Sequence, residues 1–230
     1  MFEKLKEEVF KANLDLVTHG LVIHTWGNAS GRDPSTGMIV IKPSGVSYEY
    51  MKPGDMVVLY PDGRVAEGNY KPSTDAPTHL FLYNKWKNIG GVAHTHSSYA
   101  TSWAQAGRAI PPFGTTHADH FSGDVPCTRV LKASEIKKDY ELNTGKVIVE
   151  TMDKFNHLAV PSVLVANHGP FSWGKDAADA VYNAVALEEI AMMAFNTILL
   201  GRSNPVSKAL IDKHFTRKHG EDAYYGQTKK

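Results

Sequence analysis

Apolar residues return at intervals of three and four over the opening segment, at Phe2, Leu5, Val9, Ala12 and Leu16, and Gly20 follows them. The spacing predicts an amphipathic helix with a glycine stop. Short β-rich runs come next: residues 37–42 read as a strand, and 56–60 joins 64–66 across Pro61-Asp62-Gly63, a composition that suits a hairpin turn. After Lys71-Pro72-Ser73-Thr74-Asp75-Ala76-Pro77, residues 78–86 suit a helix with Pro77 in its first turn. Residues 89–96 read as a buried strand, 97–106 as a helix, and 147–151 and 163–166 as further strands. Asp176 begins the longest helical pattern, which runs to Leu200, where Gly201 ends it, and a last helix over 206–218 precedes an aromatic tail. No repeat, linker or low-complexity stretch divides the chain, so residues 1–230 are expected to form one domain of mixed α/β type.

Composition narrows the classes of function. Of 230 residues, 42% are hydrophobic and 21% charged, the balance of an ordinary globular chain. Lys and Arg total 25 against 24 Asp and Glu, so the formal charge of +1 announces neither nucleic acid nor an anionic membrane as partner. The single cysteine, Cys127, excludes an internal disulfide framework and any Cys-x-x-Cys zinc motif. The opening residues are charged from position 3, and no apolar run is long enough to span a bilayer, which leads to the expectation of a cytoplasmic protein without a signal peptide. Histidine is the unusual component, at 11 residues.

His94-Thr95-His96 ends an apolar run, and in a strand residues i and i+2 face the same side, so two imidazoles converge. Zinc takes imidazole nitrogen, and a catalytic zinc uses three protein ligands, so a third donor is needed. His168 ends another apolar run, and Asp75 offers a carboxylate before a helix. The alternative is a half-buried strand pair bonded to backbone. Three small-residue segments, Trp26-Gly27-Asn28-Ala29-Ser30, Lys42-Pro43-Ser44-Gly45 and Lys71-Pro72-Ser73-Thr74, let backbone N–H groups and hydroxyls approach an anion. They fit plain turns too, and by composition alone the turn reading wins. Neither a GxxxxGK[ST] loop nor a GxGxxG fingerprint is present, which disfavours nucleoside triphosphates and dinucleotides. His117, Asp119 and His120 crowd one segment, and His214 and Tyr225 lie near the end of the chain; these are proton-transfer candidates. Their plainer readings are a helix cap for Asp119 and a frayed tail for Tyr225.

Taken in order and spacing, TWGNAS, KPSG, KPSTD, HTHS, GTTHADH, NHGPFSWG and the terminal KHFTRKHG and AYYGQ resemble the epimerase branch of the class II aldolase and epimerase family, over nearly the whole chain. The resemblance implies a single α/β domain with a central, largely antiparallel sheet flanked by helices, and a homotetramer with active sites at subunit interfaces. It implies one zinc ion per chain on His94, His96 and His168, with Asp75 as a ligand or close neighbour. It also implies substrate-binding roles for Gly27, Asn28, Lys42, Ser44, Gly45, Ser73 and Thr74 around a sugar phosphate, and catalytic roles for Asp119, Tyr225 and His214.

Two departures stand out. Thr74 replaces a usual serine but keeps the hydroxyl, and His120 stands where an aromatic residue is common, which suggests that it perturbs the ionisation of Asp119. The implied reaction interconverts L-ribulose 5-phosphate and D-xylulose 5-phosphate by cleaving and re-forming C3–C4. The rival within the family is a sugar-phosphate aldolase, whose fuculose type places glutamate where this chain has Asp75. A metal hydrolase and a non-catalytic binding member are the readings from outside that chemistry.

Overall fold

The computed structural model describes residues 2–201, 204–220 and 223–226. The chain opens with α1 (Glu3–Thr18), which ends before Gly20, as its apolar spacing predicts. Four strands follow: β1 (Gly27–Arg32), β2 (Ile39–Ile41), β3 (Val57–Leu59) and β4 (Val65–Glu67), the last two forming the predicted hairpin. Then come α2 (Ala76–Lys85), β5 (Gly91–Thr95), α3 (Ser98–Gln105), the short α4 (Thr115–Ala118) and α5 (Ala133–Lys137), α6 (Tyr140–Met152), β6 (Ser162–Leu164) and β7 (Pro170–Gly174). The long α7 (Ala177–Leu199) and α8 (Lys208–His219) complete the order.

The seven strands form one sheet in the order β4-β3-β2-β1-β5-β7-β6, with every neighbouring pair antiparallel. Period-two alternation divides its side chains between two cores. Ile39, Ile41, Val57, Leu59, Val92, Phe171 and Trp173 face α2, α3 and α6, whereas Val40, Val58, Ala29 and Ala93 face α1 and the first half of α7. Fully buried residues such as Ile41, Leu59 and Phe171 contribute roughly 1.5–3 kcal/mol apiece. Cys127 is half-buried, and burial pushes its thiol up to about 11, in keeping with a structural role. No helix among the described residues is long and apolar enough to cross a membrane.

Two elements correct the sequence reading. Residues 147–151, predicted as a strand, lie inside α6. The β-branched run drew the strand reading, but Thr144, Gly145, Val147, Ile148, Val149 and Met152 are buried at helical spacing. Gly145 lets α6 approach α2 so closely that a Cβ there would lie 2.9 Å from Phe81 Cβ. The second is β1, whose residues Gly27 to Ser30 read as a turn by composition but form part of a central strand. It carries small residues because helices press on it: a Cβ on Gly31 would meet Val9 Cγ2 of α1 at 2.9 Å. Pairing with β2 begins only at Ser30, and the buried Asn13 amide serves Ala29 instead, accepting from its N–H at 2.8 Å and donating to its carbonyl at 3.0 Å. β7, with Pro170 and Gly174 at its ends, also escaped the pattern.

Candidate active site

β5 delivers His94 to the sheet end, His96 follows one residue beyond it, and His168 sits in the tight turn between β6 and β7, where Asn167 takes φ +63. Because β5 and β7 pair antiparallel, with His94 opposite Phe171, that turn lies beside the end of β5. The three rings stand 4.7–5.0 Å apart by centroid, and one ligand nitrogen from each lies within 4.8 Å of the others. His94 bonds through Nδ1 to Pro170 O at 2.9 Å, and its ring stacks on Phe171. That bond fixes Nδ1 as the donor and leaves Nε2 as a lone-pair donor to a cation. Burial, reinforced by the neighbouring imidazoles, pulls His168 down to about 3, so it stands neutral, the ligating form. The Tyr140 hydroxyl lies 3.5 Å from His168 Nδ1.

Asp75 precedes α2 on the other side of this space, and its Oδ2 accepts from Asn28 Nδ2 at 2.7 Å. Burial raises its pKa, but His94, His79 and the Asn28 amide outweigh burial and leave the carboxyl below its ordinary value. It borders the histidine group without belonging to the set of mutually close ligand atoms. Asn28 keeps a buried Oδ1 with no protein partner, an acceptor free for a ligand.

The two Lys-Pro-Ser segments pair with each other. Ser44 N–H donates to Lys71 O and Ser73 N–H to Lys42 O, both at 2.9 Å, across a Pro43–Pro72 bridge. Gly45 holds φ +69, a turn glycine adopts without strain. Lys42 Nζ donates to Val46 O at 2.7 Å and to Pro43 O at 3.2 Å, and lies 4.7 Å over the Tyr48 ring. Burial lowers its pKa to about 8, and Tyr48 in turn bonds Gly27 O. A β-carbon on Gly27 would sit 2.9 Å from His94 O, so only glycine fits there.

All eleven residues assigned from the sequence to metal or substrate line one cavity of about 590 Å³: Gly27, Asn28, Lys42, Ser44, Gly45, Ser73, Thr74, Asp75, His94, His96 and His168. The first small-residue segment enters it as a strand, which corrects the turn reading of Gly27 and Asn28. Tyr140 and Glu141 also line it; they open α6, and nothing in their local sequence marks them.

Asp119, His214 and Tyr225 do not line this cavity; they form a second cluster. Asp119 caps the C-terminal end of α4 through its backbone N–H, so it does stand at a helix end, but its side chain does not cap that helix. Its carboxylate accepts from Arg217 Nε and Nη2 at 3.0 and 2.7 Å and from His214 Nδ1 at 3.0 Å, with Lys218 Nζ at 3.5 Å. Burial pushes this carboxyl up, but the bonds from Arg217 and His214 dominate and hold it at about 2. Arg217, His214 and Lys218 outweigh His120 at this carboxyl; burial lowers the His120 pKa, against which the Asp119 charge raises it, and the His120 ring faces Tyr182. His117 bonds Gly123 O and is part of the packed interior. Tyr225 is 63% exposed but not frayed: its N–H bonds Arg217 O at 3.1 Å, and Arg217 and Lys218 lie over its ring. Gln227, the last residue of the terminal motif, lies outside the described residues.

Residues 7–195 match the family described as Class II Aldolase and Adducin N-terminal domain, and the chain belongs to it. Among curated relatives it is 57% identical over 226 residues, 98% of this chain and 99% of the relative, to the L-ribulose-5-phosphate 4-epimerase UlaF of Salmonella paratyphi B, and equally to that of Salmonella typhi. Among solved structures, an L-fuculose 1-phosphate aldolase superposes with a TM-score of 0.78 at 25% identity, over 92% of this chain and 94% of that one. The L-fuculose 1-phosphate aldolase from Glaciozyma antarctica PI12 shares the fold, with a TM-score of 0.77 at 17% identity over 96% and 84%.

Proposed function

We propose that this chain is a zinc-dependent epimerase that interconverts L-ribulose 5-phosphate and D-xylulose 5-phosphate. The observation that carries this reading is one cavity that joins three converging imidazoles to the two paired Lys-Pro-Ser loops, in a chain 57% identical to named epimerases of this type.

The donor set fits a divalent ion of zinc's kind: three imidazoles with mutually close nitrogens, His94 oriented by Pro170 O and His168 held neutral. When bound, such an ion supplies Lewis-acid stabilisation of charge on the ketone end of the substrate, a contribution of several kcal/mol. Ser44, Gly45, Ser73 and Thr74 hold the phosphate, and Asn28 Oδ1 accepts from a sugar hydroxyl. The C4 proton lies β to the ketone and is not acidic, so inversion proceeds by breaking C3–C4. The C4 hydroxyl gives up its proton, the bond pair stays on C3, and glycolaldehyde phosphate turns its other face before the bond re-forms. The C4 oxygen points to opposite sides before and after this rotation, so two proton-transfer groups are needed. Tyr225 serves one side. Asp119 serves the other, with His214 bonded to its carboxylate at 3.0 Å and close to the substrate. These three residues reach the substrate from a neighbouring chain of a homotetramer, closing the open cavity at the interface.

The test is turnover of L-ribulose 5-phosphate by the purified protein, followed as D-xylulose 5-phosphate, with chelator and with metal restored. Epimerisation that falls on chelation and returns with zinc is expected. No conversion by the metal-loaded protein, or full turnover by verified metal-free protein, overturns the reading. Release of free aldehyde as the main product favours the aldolase.

A further inference from the structure

We propose that Arg217 is the positioning residue that locks Asp119 and Tyr225 into one arrangement; the proposal rests on the epimerase reading above. Four hydrogen bonds and one ring contact meet on it. Its guanidinium fork takes both oxygens of Asp119, at 3.0 and 2.7 Å. Its carbonyl accepts the N–H of Tyr224 and of Tyr225, both at 3.1 Å. Its guanidinium carbon stands 5.3 Å from the Tyr225 ring centroid. One residue therefore grips the α4 end with its side chain and the tail with its backbone.

The fork matters because little else fixes this corner. α8 carries no fully buried side chain, so apolar packing does not set where it lies. It is attached by polar contacts: Val206 N–H to Pro112 O just before it, and His214, Arg217, Lys218 and His219 around Asp119. Among these, only Arg217 makes a two-point contact with the carboxylate, and a planar fork fixes direction where a single ammonium does not. Residues 214, 217 and 218 share one helical face, so turning the fork turns His214 with it. Arg217 does not line the histidine cavity of its own chain.

The experiment uses metal-loaded full-length protein and L-ribulose 5-phosphate. Arg217→Met is expected to lower kcat by about 10²-fold, the cost of a small misplacement, with KM within about twofold. Arg217→Lys keeps the charge and the helix but loses the fork, and is expected to lower kcat roughly tenfold. Because Arg217 acts through its two contacts, its loss should fail to add to that of Asp119→Asn and to that of Tyr225→Phe in double-mutant cycles. Wild-type kcat in Arg217→Lys, or additivity in either cycle, overturns the proposal while the epimerase reading stands. Wild-type turnover in both Asp119→Asn and Tyr225→Phe overturns the reading and the proposal together.

Discussion

His94 and His96 stand at the end of an inner strand of the seven-stranded sheet and His168 in the β6–β7 turn beside it, backed by Phe171 and by Pro170 O. Asp119, His214 and Tyr225 stand instead on the end of a four-residue helix, on a terminal helix with no fully buried side chain, and on the tail behind it. The first region is preorganised by packing and by ladder hydrogen bonds, so its geometry survives loss of one functional side chain. The second is held by charge-assisted bonds converging on a single carboxylate, so its geometry and its chemistry share the same atoms. Substitutions should therefore separate cleanly from stability in the cavity and less cleanly in the cluster.

The largest effect is expected at the cavity. His96→Ala should lower metal content and reduce turnover by about 10⁴-fold, while the thermal midpoint of the metal-free protein hardly moves, because His96 is exposed. Metal analysis beside turnover checks this, and full metal content with wild-type turnover would contradict it. Next, Tyr225→Phe should cost about 10³-fold in kcat with metal content unchanged, since one hydroxyl is lost and little packing. Near-normal epimerisation in both directions would remove Tyr225 from the mechanism.

A smaller effect is expected from Lys42→Met. It leaves the carbonyls of Pro43 and Val46 without their donor and should raise KM for the sugar phosphate about tenfold, with kcat within a factor of about 3. A fall in kcat at unchanged KM would place Lys42 in the chemistry instead of beneath the phosphate loop. The smallest effect concerns acid. Asp119 has a folded pKa depressed from 3.8 to about 2, so its contribution to holding α8 is fully present above about pH 4 and is lost as pH falls toward about 2. The groups facing it are His214, Arg217, Lys218 and His219 of α8, with His120 beside it and Lys175, Asp179 and Tyr182 across the adjoining cavity. Protection of the tail from carboxypeptidase, compared with Asp119→Asn, should decline over that window in the wild type alone.

Where the local pattern carried the packing, the sequence was legible. α1 and α7 follow their three-and-four spacing, and β3 and β4 follow alternation around Pro61-Asp62-Gly63. β1 was illegible because its strand character comes from its neighbours: helices on one face demand glycine and alanine, the residues of a turn, and Asn13 stands in for a missing strand partner. α6 was misread because five β-branched and polar residues outweighed a helical burial pattern that extends over thirteen.

By itself the sequence determined which residue types were available and at what local spacing: His-x-His at the end of an apolar run, two Lys-Pro-Ser segments, a third histidine before a glycine, and an acid between histidines. Those depend on a few adjacent side chains and on the period of a strand or helix. Tertiary structure alone decided that the two Lys-Pro-Ser segments pair with each other, that Asp75 meets Asn28 across 47 residues, and that Arg217 closes on Asp119 across 98. Such contacts are fixed by how the sheet orders its strands and where it leaves each helix end, and no local periodicity records that order.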